Sequence, residues 1–259
     1  VCTTDDAADT LEYHIQIAED KSFKTKVLPA FRPDKAIAIE APTFLSWVDA
    51  LNKVSGKTVT DFDSLREILT DRINFFEKMG CRACDHGLTY IPFARAGKDE
   101  LNTIVKKALK GEKLEKSEID KYKTELLIFL GREYAQRGWG MEIHTDAIRN
   151  NNSAFFKKKG PDMGFDSIAD EKLAANLSGF LDSLESEGKL PRIVLFSLNP
   201  SDNYVIGSML GNFQGTEAQS KIQMGSAWWF NDNYDGMRVQ MRTLMNLGVF
   251  SRFVGMVTD

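Results

Sequence analysis

The chain has 259 residues, enough for one large domain or two small ones, and a (β/α)8 barrel has about this size. Its formal net charge of −4 argues against a nucleic-acid partner and against an anionic membrane surface. No apolar run approaches the roughly 20 residues that a membrane span needs. Three cysteines in so long a chain indicate a reducing compartment rather than a disulfide scaffold, so we expect a cytoplasmic protein.

Short β-type runs recur along the chain, and each ends in polar residues. We predict strands within VCTTDD (1–6), KTKVLPAFRPD (24–34), GCRACDHG (80–87), GWGMEIHTDAIRNNN (138–152), PRIVLFSLNPSD (191–202), SKIQMGSAWWFND (220–232) and SRFVGMVTD (251–259). These runs alternate with helical stretches, and a strand–helix–strand crossover produces a parallel sheet. Such repetition without a G-x-G-x-x-G turn favours an α/β fold of the (β/α)8 TIM-barrel type over an open dinucleotide-binding sheet.

Apolar residues recur at helical spacing between the predicted strands. This spacing predicts helices that end at Gly80 and at Gly248, because glycine commonly follows the last helical turn. A third helix is predicted to begin with Ser117 as its N-cap. Residues 97–137 are predicted to form two helices, a helical insertion joined at KGEKLEKSE.

We expect residues 1–259 to form a single, incomplete barrel domain that contains strands 2–8. A seven-stranded barrel would leave two bare parallel edges, which natural proteins avoid. The first strand and a C-terminal segment are therefore expected to lie outside this chain. In a barrel, functional side chains gather at the carboxyl ends of the strands. The polar or aromatic residues at these ends are Arg32, Asp85, His86, His144, Arg149, Asn199, Trp228 and Asp259.

Cys81 and Cys84 form the motif CRAC, which invites a metal-binding or redox interpretation. Positions three apart on a strand face opposite sides of the sheet. A redox pair usually lies at a helix N-terminus, and the sequence has no second cysteine pair to complete a zinc site. We therefore predict that both are plain thiols.

The motifs at the strand ends form a recognisable set. TTDD, VLPAFRPDKA, CRACDHGL, RNNN…GPDMGFDSI, LNPSDN, IGSMLGNFQG, GSAWWFNDNYDGM and FVGMVTD follow one another from residue 1 to residue 259. Together they resemble the uronate (glucuronate) isomerase family, a divergent branch of the metal-dependent amidohydrolase superfamily. The resemblance implies interconversion of D-glucuronate with D-fructuronate and of D-galacturonate with D-tagaturonate. These are aldose–ketose isomerisations of bacterial hexuronate breakdown.

The resemblance also implies a divalent metal, for which we expect zinc. His144 falls at the family's strand-five histidine near the metal, although this chain has HTDA where members often have His-Ile-Gly-Ala. Asp259 matches the superfamily's strand-eight aspartate, a metal ligand and proton-transfer group. The structural alternatives are that His144 binds a loop carbonyl and that Asp259 is an acidic residue in solvent. The family's first-strand His-x-His pair has no counterpart here, so we expect this chain to be inactive alone.

Arg32 and Arg149 are the candidates for holding the carboxylate of a uronate. A guanidinium can grip a planar carboxylate with two parallel hydrogen bonds. We favour Arg32, because the following Pro33 stiffens its loop. Either arginine could instead pair with a neighbouring acid, such as Asp34 for Arg32.

Asp85 and His86 are adjacent at the end of one strand and should face opposite ways. We assign His86 to catalysis and Asp85 to substrate binding, with at most one of them facing the site and the other serving the scaffold. His14 lies mid-helix, and we interpret it as structural.

Neutral and aromatic side chains complete the predicted site. Asn150, with the two asparagines after it, could bind sugar hydroxyls or simply form a tight turn, and both interpretations stay open. Trp228 and Trp229 offer indole rings for stacking against a sugar, although packing against a helix is the commoner use of tryptophan. Strand alternation allows only one of the two to face the site.

The predicted reaction removes a proton at C2 and delivers one at C1 through an enediol, with Asp259 supporting proton transfer. A hydrolase of the same superfamily is one alternative. A two-metal hydrolase needs a strand-four lysine or carboxylate bridge and a strand-six histidine, whereas CRACDHG has no lysine and IVLFSLNP has no histidine. A non-catalytic sugar-binding barrel is the other alternative. We expect a small-molecule hexuronate as the partner, no nucleic acid or membrane, and a homo-oligomer.

Overall fold

The computed structural model describes residues 1–255 as an alternation of strands and helices. The strands are β1 (Cys2–Asp6), β2 (Leu28–Arg32), β3 (Ala83–Gly87), β4 (Gly140–Thr145), β5 (Ala147–Ile148), β6 (Ser167–Ile168), β7 (Arg192–Ser197) and β8 (Ile222–Met224). The helices are α1 (Glu12–Glu19), α2 (Asp34–Ile37), α3 (Phe44–Ser55), α4 (Phe62–Lys78), α5 (Lys98–Leu109), α6 (Lys116–Arg137), α7 (Ser153–Lys159), α8 (Ala174–Glu185), α9 (Asn203–Leu210) and α10 (Tyr234–Leu247). Within the described part of the chain, no helix is long and apolar enough to cross a membrane.

The predicted strands are confirmed at β1, β2, β3, β4, β7 and β8. The prediction for 251–259 is wrong in its described part, where Phe250–Arg252 form a 3-10 turn. Its last four residues, with Asp259, lie outside the described residues. The α/β class is therefore confirmed, whereas closure into a (β/α)8 barrel is not shown and stays a prediction.

The described residues divide into two compact units. The first comprises Val1–His86, Pro92–Met141 and Asp182–Pro191, and its strands lie in the order β1-β2-β3. In its parallel register Asp6 pairs with Arg32, and Phe31 pairs with Cys84. The carboxyl ends of these strands therefore bring Asp6, Arg32 and Asp85 to one edge of the sheet.

An aromatic cluster fills the core of the first unit. The ring of Phe31 on β2 lies 5.0 Å from that of Phe76 on α4, edge to face. Tyr134 on α6 stacks on Trp139 with ring centroids 5.9 Å apart, and all four side chains are fully buried. Edge-to-face and offset contacts of this kind add about 0.5–1.5 kcal/mol each beyond the burial of apolar area. This packing fixes which face of β2 and β3 meets the helices.

The helices follow the predicted periodicity, with one correction at a cap. Helix α4 begins after Asp61, whose carboxylate accepts a hydrogen bond from the Ser64 amide at 3.0 Å. The insertion at 97–137 is confirmed as α5 and α6. The N-cap of α6 is Glu115 rather than the predicted Ser117, because Glu118 accepts a hydrogen bond from the Glu115 amide and closes a capping box.

The second unit comprises Gly87–Ile91, Glu142–Leu181 and the chain from Arg192 onward. Its strand order is β4-β7-β8, and β7 and β8 pair in parallel. Two further strands, β5 and β6, form a two-residue antiparallel ribbon that the sequence did not predict. The prediction of a single domain over residues 1–259 is untested.

Candidate functional site

Arg32 forms an ion-pair cluster at the strand ends of the first unit. Its Nε donates to Asp34 Oδ2 at 2.7 Å, and its Nη1 lies 3.0 Å from Asp85 Oδ2. Partial burial of the guanidinium acts to lower its pKa, but the two carboxylates outweigh this and raise it. The alternative pairing with Asp34 is therefore present, together with a contact to Asp85 that the parallel register of β2 and β3 explains.

Asp6 ends β1 opposite Arg32 in the strand register, and sequence reasoning missed it. Its Oδ1 accepts a hydrogen bond from the Trp47 indole at 2.9 Å, and its Oδ2 lies 3.2 Å from Lys35 Nζ. The register that places Asp6 beside Arg32 could have been anticipated, because both residues end parallel strands that are adjacent in the chain. The strand ends of the first unit thus carry Arg32 paired with Asp34 and Asp85, and Asp6 paired with Trp47 and Lys35.

His86 lies on the opposite face of β3 from Asp85, as strand alternation predicts. Its imidazole is fully buried, and Nε2 is 3.2 Å from the Tyr134 hydroxyl. The assignment of His86 to catalysis and of Asp85 to substrate binding stays a prediction. Asp85 is part-exposed and beside Arg32, whereas the His86 ring lies in the core.

The prediction that the cysteines are plain thiols agrees with the structure. Cys81 and Cys84 are buried and form no disulfide, and burial raises the pKa of the Cys81 thiol to about 12. His14 is also structural, as predicted, since its Nε2 lies 2.7 Å from the Thr3 hydroxyl and couples α1 to β1.

His144 near the end of β4 lies among aromatic rings of the second unit. Its imidazole stacks on Phe196 with centroids 4.3 Å apart and meets Trp228 edge to face at 4.7 Å. Gly225 makes room for the Phe196 ring, because a Cβ at position 225 would lie 2.2 Å from it. Sequence reasoning missed Phe196 and Gly225, since the pairing of β7 with β8 is what brings them together.

Arg149 follows the β5 strand and packs on the second tryptophan of the pair. Its guanidinium carbon lies 4.9 Å from the centre of a Trp229 ring, and its Nη1 lies 3.7 Å from Asp162 Oδ1. Trp229 has a φ of 51°, so strand alternation ends before it. Both tryptophans contact predicted site residues, Trp228 through His144 and Trp229 through Arg149, and the expectation that only one of them faces the site stays a prediction.

The asparagine run forms a turn and a helix cap. Asn150 has a φ of 56°, and its backbone N–H donates to Asp166 Oδ1 at 2.7 Å. Asn151 Nδ2 donates to Ser167 Oγ at 2.6 Å, and Asn152 caps α7. These contacts join RNNN to GPDMGFDSI across the β5–β6 ribbon. They account for the asparagines structurally, and binding of substrate by Asn150 stays a prediction.

Asp146 is a buried carboxyl group between β4 and β5, with a φ of 70°. Ser197 Oγ donates to Asp146 Oδ2 at 2.8 Å and lies 3.0 Å from Asp202 Oδ2. Burial, together with the neighbouring Asp202 and against the hydrogen bond from Ser197, raises the pKa of Asp146 to about 7. Asn199, another strand-end residue, caps the next turn through Ser201 and donates to the Ala169 carbonyl.

The described side chains do not by themselves form a metal centre. Across residues 1–255, no group of three or more His, Cys, Asp or Glu side chains is placed to hold a metal ion. His144 is one candidate ligand, and the predicted second ligand, Asp259, lies outside the described residues. The donor set available for zinc among the described residues is thus incomplete.

Comparison with known proteins gives consistent matches. A family model described as glucuronate isomerase matches residues 1–259. Uronate isomerases from Clostridium acetobutylicum and Caldicellulosiruptor saccharolyticus are 56% and 52% identical to this chain over its whole length. The chain spans 56% of the length of each of these curated relatives.

Solved structures match over the whole chain as well. The crystal structure of a uronate isomerase from Thermotoga maritima superposes with a TM-score of 0.91 at 30% identity, covering 100% of this chain and 55% of that one. A glucuronate isomerase from Caulobacter crescentus gives a TM-score of 0.89 at 23% identity, over 100% of this chain and 52% of that one. At 23% identity, the second match supports only that the two chains share a fold.

Proposed function

This chain belongs to the glucuronate isomerase family, and from that premise we propose that the protein interconverts hexuronates with their keto forms. The substrates are D-glucuronate and D-galacturonate, and the products are D-fructuronate and D-tagaturonate. An incomplete (β/α)8 barrel over residues 1–259, and a homo-oligomer, remain part of this proposal.

One observation on the molecule carries the proposal furthest, namely the exposed guanidinium of Arg149 on the Trp229 ring. A sugar acid presents a planar carboxylate and C–H faces, which guanidinium and indole groups recognise respectively. Arg149 makes one loose ion pair with an exposed aspartate, so a ligand carboxylate has access to it. The neighbouring Trp228 and Asn150 belong to the same unit and are proposed to bind the sugar.

The reaction moves a carbonyl from C1 to C2 and needs a group that exchanges protons with carbon and with hydroxyls. Asp259 is proposed for this role by the resemblance to the superfamily. In the first unit, Asp85 is oriented by Arg32 at 3.0 Å, and we propose that it contacts a sugar hydroxyl. Arg32 itself is held by two carboxylates, so we propose that it acts chiefly by orienting Asp85.

A divalent metal, with zinc expected, remains a proposal in which His144 and Asp259 are ligands. The two alternatives are less well supported. This chain has no lysine in CRACDHG and no histidine in IVLFSLNP for the two-metal site of a hydrolase, and it matches the family model of an isomerase. A non-catalytic sugar-binding protein would bind D-glucuronate without converting it.

Running the reaction of the native protein with D-glucuronate in deuterated water tests the proposal. Proton transfer through an enediol predicts solvent deuterium at C1 of the keto product. Ketose product without deuterium would indicate direct hydride transfer, and binding without conversion would favour the sugar-binding alternative. Metal analysis of the same preparation tests the metal separately.

A further inference from the structure

Trp229 has a backbone conformation that tryptophan rarely adopts. Its φ of 51° lies in the left-handed region, which costs an ordinary residue roughly 1–2 kcal/mol. Such conformations persist only where the surroundings enforce them, and they cluster at binding sites. Here the ring of the following residue, Phe230, stacks on the Trp229 indole with centroids 5.1 Å apart. The ring of the preceding residue, Trp228, has its centroid 5.7 Å from that of Trp229.

The result of this conformation is a platform for one guanidinium. The Arg149 guanidinium carbon lies 4.9 Å from the Trp229 ring centre, which is within the range of a cation–π contact. The left-handed residue opens the 3-10 turn Trp229–Asn231, which lies beyond the end of β8 at Met224. In this turn the Trp229 indole presents its face to Arg149.

Asp162 approaches the same guanidinium from the GPDMGFDSI segment. Its Oδ1 lies 3.7 Å from Arg149 Nη1, beyond hydrogen-bonding distance, and its side chain is 71% exposed. The Asp162 amide donates to Asn150 Oδ1 at 3.3 Å, so the backbone of Asp162 is tethered beside Arg149. A carboxylate is thus held next to the arginine without occupying its two-pronged hydrogen-bonding face.

We propose that Trp229 is a positioning residue that holds Arg149 for the carboxylate of the substrate, and that Asp162 competes for the same guanidinium until the substrate carboxylate replaces it. This inference rests on the proposed function. It assigns Trp229 an action through Arg149, and it makes Asp162 a determinant of the preference for acidic sugars.

Initial-rate kinetics of the native protein with D-glucuronate and with D-glucuronamide, its uncharged counterpart, test the inference. Trp229→Leu removes the π face and should raise KM for D-glucuronate by about 3- to 30-fold, the range of one cation–π contact, while kcat stays within about twofold. The preference for the acid over the amide should shrink by the same factor. Trp229→Phe keeps an aromatic face and should retain most of that preference.

Asp162→Asn provides a second test, in which KM for D-glucuronate should change in the opposite direction. Asparagine tolerates the left-handed backbone of position 162, where φ is 57°, but carries no charge. Loss of the competing carboxylate should lower KM for D-glucuronate by up to about fivefold, the scale of an exposed ion pair. Loss of folded protein would instead lower the apparent kcat for D-glucuronate and D-glucuronamide alike, without lowering KM.

Two results would overturn the inference: an unchanged acid-to-amide preference in Trp229→Leu, or a raised KM for D-glucuronate in Asp162→Asn. If the wild-type protein converts no hexuronate, the proposed function fails, and calorimetric binding of D-glucuronate decides the inference alone. In that case Trp229→Leu must still weaken binding relative to wild type, and equal or absent binding refutes the role of Trp229.

Discussion

Two arginines that the sequence presents as equivalent are held in different ways. Arg32 in the first unit is paired with carboxylates at 2.7 and 3.0 Å, whereas Arg149 in the second unit rests on an indole ring with one carboxylate at 3.7 Å. The charge of Arg32 is thus satisfied within the protein, and that of Arg149 is accessible to a ligand. The comparison favours Arg149 as the carboxylate holder, although Pro33 made Arg32 the preferred candidate from the sequence.

The largest expected effect comes from Arg149→Met. Loss of a charge-assisted hydrogen bond to the ligand is worth about 1.5–3 kcal/mol, which corresponds to a rise in KM for D-glucuronate of roughly 10- to 100-fold. Arg149→Lys keeps the charge without the two-pronged geometry and should fall between Met and wild type. Michaelis–Menten kinetics of the three proteins measure this, and a larger rise in KM for Arg32→Met would reverse the comparison.

Asp146 in the second unit should make the stability of the protein depend on pH. Its pKa is raised from 3.8 to about 7 in the fold, so the folded state binds more protons than the unfolded state between these values. Stability should therefore decrease as pH rises from 5 to 7, by about 2 kcal/mol, and level off above pH 7. Urea-unfolding midpoints at several pH values test this. Asp146→Asn, which does not ionise, should flatten the profile, and an unchanged profile would contradict the assignment.

Gly225→Ala should disturb the aromatic support of His144. The added methyl would lie 2.2 Å from the Phe196 ring, and overpacking of this kind costs about 1–3 kcal/mol. Thermal unfolding measures the loss of stability. Combining the change with Phe196→Leu relieves the clash, so the double variant should be more stable than Gly225→Ala alone if the ring contact is the cause.

Arg32→Met gives the smallest of the expected effects. The pairs of Arg32 are about one-third exposed at the arginine, so solvent screening limits their worth to about 1 kcal/mol of unfolding free energy. The difference between wild type and variant should narrow in high salt. Urea unfolding with and without added sodium chloride checks this, and a salt-independent loss would mean that packing, rather than charge, holds the cluster.

Much of the fold could be predicted from the spacing of apolar residues and from the polar residues that end the strands. Alternating runs that end in polar residues located six strands, and helical spacing located α4, α6 and α10. The β5–β6 ribbon escaped, because two residues per strand carry no period. The cap of α6 was placed at Ser117 by residue preference, while a glutamate pair makes it two positions earlier.

The sequence predicted which residue types lie at the strand ends. It predicted fewer of the contacts that their side chains make. Register alone explains how Arg32 meets Asp85, and alternation alone explains why His86 turns into the core. The contact of Trp229 with Arg149 depends on a left-handed backbone that no local preference of tryptophan predicts. Phe196 and Gly225 lie on adjacent strands far apart in sequence, so their fit depends on tertiary packing.

The β5–β6 ribbon has a consequence for dynamics. It closes an excursion of residues 149–166 with two paired residues on each side, and α7 within that excursion has no buried residue. Segments held by so few contacts open at a small free-energy cost, well before the protein unfolds globally. Amide hydrogens of 149–166 should therefore exchange with solvent sooner than those of β7, so that Arg149 and Asn150 sample open states while the neighbouring sheet stays protected.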